Sequence, residues 1–544
     1  MDKSNKIIGW NKSIDYWVLI QVVVPIAFGL LSIRFGQDTN WDLRDYHLYN
    51  AYAYLNGRSN IDLLPAGLST FLPPYMDVVY FELVQHTAPW LAGFIIGIIQ
   101  GLNFILIFNI SRYCLRAVNI KNVIVAFVLA FLGVLSVGFL SELGTTFWDS
   151  VVSLFPLTSL LIIVASMGPI LSGLRSAFLS LFLAGLIVGV GGGVKFLSIL
   201  YFFSLFFSLL FISIPFKRRM ALAMLFGVGA AMGLMAADGA LFFNTWHQMG
   251  NPIFPFMNNF FHSQLTQCSP FLDKCFRPKD FSEEIFYPVI FTVNPFRVNE
   301  LPYKQINWLI VYWASIYLLI RMAFYRKEKG PFKPEIKLLL LFFWFSAFLW
   351  IHLFSIYRYQ ITIEVLIPLV VFTFFLTAFE LKSWAQILLM LILGVVTVLN
   401  LNGIPNWGRS SWTDRAYQFN TSWAQAGRID SVILIGGSLS WIIPALDIKR
   451  PFIQIKFNCK PNNHAYVQRA SALLRSSHDG KVLVILNHEE INLPHAIAML
   501  RPYNFTFKKE NCTYETGYIG RAAFSYQFCP AERIVKDNIG SGLL

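Results

Sequence analysis

Long apolar runs separated by short polar breaks dominate the first 401 residues. A helix needs about 20 apolar residues to cross hydrocarbon, and about eleven stretches meet that criterion. They centre near Pro25, Gly101, Phe131, Leu160, Ala184, Phe203, Gly229, Trp313, Ser346, Val370 and Leu393. The pair spanning 176–213 is interrupted by Gly189, Gly191, Gly192, Gly193 and Lys195. The first run follows Lys3, Lys6 and Lys12 and reaches Ile33 without a convincing small-residue cleavage site. It therefore reads as an uncleaved transmembrane helix rather than a signal peptide.

Two of the polar breaks are long, at 36–89 and 245–305. In the first, Tyr46–Leu55 reads as a short interfacial helix rich in aromatics. The second is dense in Pro, Phe and Asn, and loops of such length are uncommon unless they are functional. Beyond about residue 402 the apolar runs shorten to strand length, at Ser431–Ile435, Phe452–Phe457 and Lys481–Leu486, with helical patterns between them. That alternation predicts a small α/β domain over 402–544, with late strands near Thr513–Tyr518 and Ala523–Phe528. The expected fold is an α-helical polytopic membrane protein with a soluble C-terminal α/β domain.

Composition agrees with a lipid solvent: 56% of the 544 residues are hydrophobic and 13% are charged, against about a quarter charged in soluble domains. The net charge of +13 is topological rather than a nucleic-acid signal. Lys217, Arg218 and Arg219, and the run from Arg321 to Lys337, sit between apolar stretches, as cytoplasmic loops do under the positive-inside rule. Placing the N-terminus in the cytoplasm puts Arg112, Arg116, Lys121 and Arg175 there too, and the C-terminal domain outside, in a periplasm-like space. Of six cysteines only Cys114 then faces the cytoplasm. Cys268 with Cys275, and Cys512 with Cys529, are plausible disulfides, leaving Cys459.

The chemistry gathers in the outer segments. Asp42 and Asp45 are three apart and would share a helix face just beyond the first span. A carboxylate there can take a proton from a sugar hydroxyl or orient a metal ion. Ordinary loop acids are the alternative, and His47 lies in the same run. Glu142 and Asp149 bracket the turn between the third and fourth spans. Asp149 reads first as a helix cap, and Glu142 as facing a cavity. Lys195 suits a phosphate at a broken helix, with snorkelling as the alternative. Arg358 and Tyr359, followed by Glu364, suit a phosphate head group held by an Arg fork. Gly250–Asn258 reads as a rigid wall or lid containing Asn251, with His247 ahead of it as a structural histidine or a substrate contact. Gly436, Gly437 and Ser438, after a strand, form a weak phosphate-cradle pattern.

Taken in order, Asp42–Arg58, Glu142–Asp149, Gly250–Asn258 and Arg358-Tyr359 resemble motifs of the GT-C superfamily of polytopic glycosyltransferases, near its bacterial protein-mannosyltransferase and aminoarabinose-transferase group. The resemblance spans roughly residues 1–400. It implies sugar transfer at the outer face, with inversion, from a polyprenyl-phosphate donor to a glycan, glycolipid or protein acceptor. It implies Asp42 as general base with Asp45 in reserve, and Arg358 and Lys195 on the donor phosphate. Some members use a divalent metal such as Mg or Mn and others none. A lipid-linked glycan polymerase or ligase, and a transporter, are the rival readings.

Overall fold

The computed structural model describes residues 16–263, 275–302, 304–324, 332–419, 423, 429–446, 448–455, 464–475 and 481–534. Each of the eleven apolar centres falls on a helix. Six of those helices are long and apolar enough to cross a membrane alone: Tyr16–Phe35, Pro89–Ala117, Ser176–Val194, Phe216–Met249, Pro334–Leu353 and Ser383–Leu401. A seventh crossing is a pair bent by 48°, Tyr357–Glu364 with Ile367–Phe379. The expected count of eleven is therefore not reached among the described residues. Val123–Val134, Asp149–Ala165 and Phe196–Leu209 are apolar but shorter. The chain is nonetheless an integral multi-pass membrane protein. Side chains such as Val18, Val22, Val23, Ile26 and Leu30 leave one face of the first helix exposed and apolar up to Arg34 in its last turn, as lipid contact requires.

The glycines near 189 do not break a helix, contrary to the expectation from sequence. Ser176–Val194 runs without interruption and the break comes only at Lys195, whose backbone is extended. Gly185 and Gly189 face Gly229 and Gly233 of Phe216–Met249. A Cβ at Gly185 would collide with the Phe226 carbonyl, and one at Gly189 with that of Ala230. Small residues four apart let two backbones touch, which is how helices associate where the hydrophobic effect supplies no force between them.

Helix direction sorts the charges. Ser176–Val194 ends at Lys195, and Pro334–Leu353 runs up to the turn bearing Arg358. Arg175, Arg218 and Lys337, at the opposite ends of these helices or beside them, therefore gather at the far end of the bundle. There Lys337 Nζ donates to the Phe211 carbonyl at 2.8 Å, and Arg218 packs on Gly173.

After Leu401 the chain builds strands. β1 (Gln37–Asp38), from the first long loop, pairs antiparallel with β2 (Arg409–Ser410). The remaining strands are β3 (Tyr417–Phe419), β4 (Ile429–Ile435), β5 (Phe452–Gln454), β6 (Lys481–Leu486), β7 (Phe505–Phe507), β8 (Thr513–Ile519) and β9 (Ala522–Arg533). They form one mixed sheet in the order β3-β8-β9-β6-β4-β5, with β7 also on β9. In the parallel β5-β4-β6 portion the short helix Ile442–Leu446 connects β4 to β5 and His464–Arg475 connects β5 to β6, while Leu493–Leu500 leads from β6 to β7. Cys512 and Cys529 form a disulfide. Cys268 and Cys459 lie outside the described residues.

The first long loop is part of this second layer, not a free surface segment. Tyr46–Leu55 is a π-helical turn, Leu43–His47, continued by the helix Leu48–Leu55. Its inner face, with Leu43, Leu48 and Tyr49, shares a core with Val432, Trp441 and Phe452 of the sheet domain. Arg58 holds Asp62 through two hydrogen bonds of 2.7 Å, and Asp62 accepts from the Phe452 amide at 2.9 Å. Leu63 then extends the β5 edge. The exposed Tyr54 and Leu55 are what remains of the interfacial face.

Candidate active site

Four residues distant in sequence meet where the bundle joins the first loop. Arg358 Nη1 donates to Asp42 Oδ2 at 3.0 Å. Lys195 Nζ donates to Asp149 Oδ1 at 2.5 Å and to the Phe147 carbonyl at 2.8 Å. Aromatic rings tie the two ion pairs together. The Arg358 guanidinium lies 4.5 Å from the Phe147 ring centre and 5.3 Å from that of Tyr359, and Lys195 Nζ lies 5.4 Å from the latter. Such contacts favour a cation that has lost part of its water. The four charged side chains retain between 9% and 21% of their surface, so an entering ligand can reach them.

Beside Lys195 lies a small pocket lined by Asp149, Lys195, Ser198, Tyr201 and Tyr359 among others. A second, narrow and largely apolar cleft lies between Phe71, Phe196, Phe254 and Phe256. Phe196 follows Lys195 directly, and its ring centre is 5.0 Å from that of Phe256. The segment Gly250–Asn258 thus supplies one wall of an apolar cleft, next to the cationic cavity. Asp238 at the rim of this cleft accepts from Tyr75 at 2.9 Å.

Asp42 and Asp45 turn to different partners. Asp42 faces Arg358, whereas Asp45 Oδ1 accepts from the Ser438 amide at 2.9 Å and its carbonyl accepts from Ser440 Oγ at 2.5 Å. Burial pushes the Asp45 carboxyl up to about 7, and the neighbouring carboxylates of Asp42 and Glu490 add to the rise. The Gly-Gly-Ser turn is not an open phosphate cradle. Its amides already serve carboxylates, Ser438 that of Asp45 and Gly437 that of Glu490 at 2.7 Å.

Several residues expected to line the cavity do other work. Glu142 is fully buried rather than cavity-facing. It accepts from the Ser150 amide at 3.2 Å. Burial first, and the Asp149 carboxylate second, hold its carboxyl well above the usual range. Asp149 does line the pocket beside Lys195, and it opens its helix with an ion pair instead of a cap. Glu364 is buried and accepts from the Gly138 amide at 3.0 Å and from Tyr357 at 2.9 Å, which fastens the bent span to its neighbour. Asn251 spends its amide on Phe256 and Ile253 within its own loop. His247 is exposed and lies against Phe243.

His47 is buried as well, and its partner is a residue the sequence did not single out. Asp77 Oδ1 accepts from His47 Nδ1 at 2.6 Å and from the Trp148 indole at 2.8 Å. A lone acid in the middle of a long loop carries no spacing signal. Asp38, which opens the acidic run of the first loop, is buried too. It accepts from the amide and the hydroxyl of Thr146, each at 2.8 Å, and so clasps the two acidic motifs together. Among the described residues no group of three or more His, Cys, Asp or Glu side chains is placed to hold a metal ion.

No family model and no curated protein matches the sequence. Solved structures do match in three dimensions. The aminoarabinose transferase ArnT from Cupriavidus metallidurans, bound to undecaprenyl phosphate, superposes with a TM-score of 0.52 at 13% identity, covering 97% of this chain and all of that one. The oligosaccharyltransferase of Archaeoglobus fulgidus, in its apo form, superposes at 0.51 and 13% identity over 93% of this chain and 74% of that one. At such identities it is the fold that is shared, and in fold the chain is similar to these GT-C membrane glycosyltransferases.

Proposed function

We propose that the chain is a membrane glycosyltransferase that takes its sugar from a polyprenyl-phosphate donor at the outer face of a bacterial inner membrane. The observation that carries this reading is that the Asp42–Arg358 and Asp149–Lys195 pairs share the Tyr359 ring, with Lys195 lining a pocket whose neighbour Phe196 lines an apolar cleft. Two cations suit a phosphate, the apolar cleft suits an isoprenoid chain, and one partly exposed carboxylate suits an acceptor hydroxyl. The solved ArnT structure holds undecaprenyl phosphate, which is a donor carrier of this kind.

In the proposed reaction Asp42 takes the proton of an acceptor hydroxyl. The freed oxygen attacks the anomeric carbon from the face opposite the phosphate. The sugar–phosphate bond breaks with inversion, and its electron pair goes to the phosphate. Arg358 and Lys195 stabilise the charge that develops there, a preorganised electrostatic role. No ligand set for Mg or Mn is assigned, because the carboxylates of Asp42 and Asp149 are already matched by these cations. The N-terminus is placed in the cytoplasm on the grounds that Arg175, Arg218 and Lys337 gather at the end remote from the site.

The test is transfer from radiolabelled polyprenyl-phosphate sugars in membranes, with wild type compared to Asp42→Asn at equal protein level. Wild type transfers label to a larger glycan, lipid or protein. The variant loses about 10²- to 10⁴-fold, the usual contribution of a general base. Equal rates in the two would remove Asp42 as the base, and no transfer from a full donor panel would remove the donor class.

A further inference from the structure

We infer that Asp77 is a positioning residue, the single buried acceptor that sets the cation pair against the carboxylate that faces it. Its effect on donor binding rests on the function proposed above, but its effect on the geometry of Lys195 does not.

Trp148 has φ 67°, in the left-handed region. A bulky residue held there costs about 1–3 kcal/mol and persists only where its surroundings enforce it. What enforces it is buried: Trp148 is 5% exposed and donates its indole N–H to Asp77 Oδ1, on a residue only 3% exposed.

The strained peptide is flanked by the groups that hold the cations. On one side the Phe147 carbonyl accepts from Lys195, and the Phe147 ring lies under Arg358. On the other, Asp149 pairs with Lys195. Relaxing Trp148 to an ordinary φ would redirect both neighbours at once, because the chain direction through residue 148 would change.

The same Asp77 oxygen also accepts from His47. His47 ends the π-helical turn that Asp42 opens. One oxygen atom therefore registers two walls of the site, the loop with Phe147 and Asp149, and the turn with Asp42. Asp77 itself is placed by the first turn of the helix Tyr75–His86. It touches none of the four charged side chains through any recorded hydrogen bond, so it acts through His47 and Trp148.

The experiment is lysine footprinting of the full-length protein in nanodiscs, with an amine-acetylating reagent read by mass spectrometry. Lys195 is the reporter, since pairing slows its reaction. Lys337, at the far end of the bundle, is the internal control. Asp77→Ala and Trp148→Phe are expected to raise Lys195 labelling about tenfold, the equivalent of about 1.4 kcal/mol, with Lys337 unchanged. Asp77→Asn, which keeps an acceptor oxygen, is expected to stay near wild type. Should Asp77→Ala fail to fold, Trp148→Phe carries the same test with only an indole N–H removed. Wild-type labelling in Trp148→Phe would overturn the inference, as would Asp77→Asn labelling as fast as Trp148→Phe. A second arm adds undecaprenyl phosphate. Protection of Lys195 in wild type, lost in Trp148→Phe, extends the inference to donor binding. No protection in wild type overturns that extension and the donor reading, while the positioning role is decided by the first arm alone.

Discussion

Asp42 Oδ2 and Arg358 Nη1 stand 3.0 Å apart across 316 residues of sequence, so that the candidate base and the candidate phosphate ligand neutralise each other. Asp149 and Lys195 do the same alongside. Buried charges need such pairing, and removing one partner leaves the other exposed to the full desolvation cost. A phosphate entering the cavity offers both cations a better-charged partner. It would release Asp42 to take a proton only when a donor is present.

Arg358→Lys tests this directly. Lysine keeps the charge but loses the planar fork and the stacking on Phe147. The expected result is a donor KM raised by about tenfold or more, with a smaller change in kcat, since a charge-assisted bond contributes roughly 1.5–3 kcal/mol. Steady-state transfer assays over a donor series measure both constants. An unchanged KM would place the donor phosphate elsewhere.

Lys195→Met removes a cation whose partner is Asp149, and Asp149 is only 9% exposed. An uncompensated buried charge is costly, so a loss of stability of about 3–5 kcal/mol accompanies the loss of activity. Lys195→Met combined with Asp149→Asn should recover most of the stability but not the activity. Thermal unfolding in detergent and transfer assays on the single and double variants separate the two effects. Recovery of both would make the pair purely structural.

The membrane character, the helix positions and the sheet-forming runs were legible in the sequence because long apolar runs and strand-length runs are local patterns. The number of crossings was not, since a run centred at Phe131 or Phe203 looks like a span whether or not its helix reaches 18 residues. The glycines at 185–193 were ambiguous for a physical reason. Alone they lower helix propensity, and only the facing Gly229 and Gly233 make them a packing surface. Asp42, Lys195 and Arg358 were visible as charges at the ends of apolar runs. Their pairing, and the hub at Asp77, depend on contacts between elements tens to hundreds of residues apart, which no local spacing encodes.

Gly189→Val makes the packing argument measurable. The Ala230 carbonyl occupies the position where a side chain would begin, so the helices Ser176–Val194 and Phe216–Met249 must separate. Overpacking of this kind costs about 1–3 kcal/mol. A fall in the detergent unfolding temperature is expected, whereas Gly168→Ala, where a Cβ meets nothing within 4 Å, should be neutral. Equal unfolding temperatures for wild type and Gly189→Val would show that the two helices are not held by backbone contact.

The Asp45 contact couples the first loop to the sheet domain in a way that depends on pH. Its carboxyl is raised to about 7 in the folded protein, against about 3.9 in an unfolded chain. Between these values the folded state binds more protons than the unfolded one, so stability falls as pH rises. The loss should begin near pH 4 and level off above about pH 7. Asn at position 45 keeps an oxygen for the Ser438 amide but cannot ionise. The unfolding temperature of wild type minus that of Asp45→Asn is therefore expected to decline by a few degrees across this window and to be flat above it. Taking the difference removes the titration of every other group the two proteins share. A difference that rises with pH would mean that Asp45 is held as a carboxylate, with the Ser438 amide outweighing both its burial and the charges of Asp42 and Glu490.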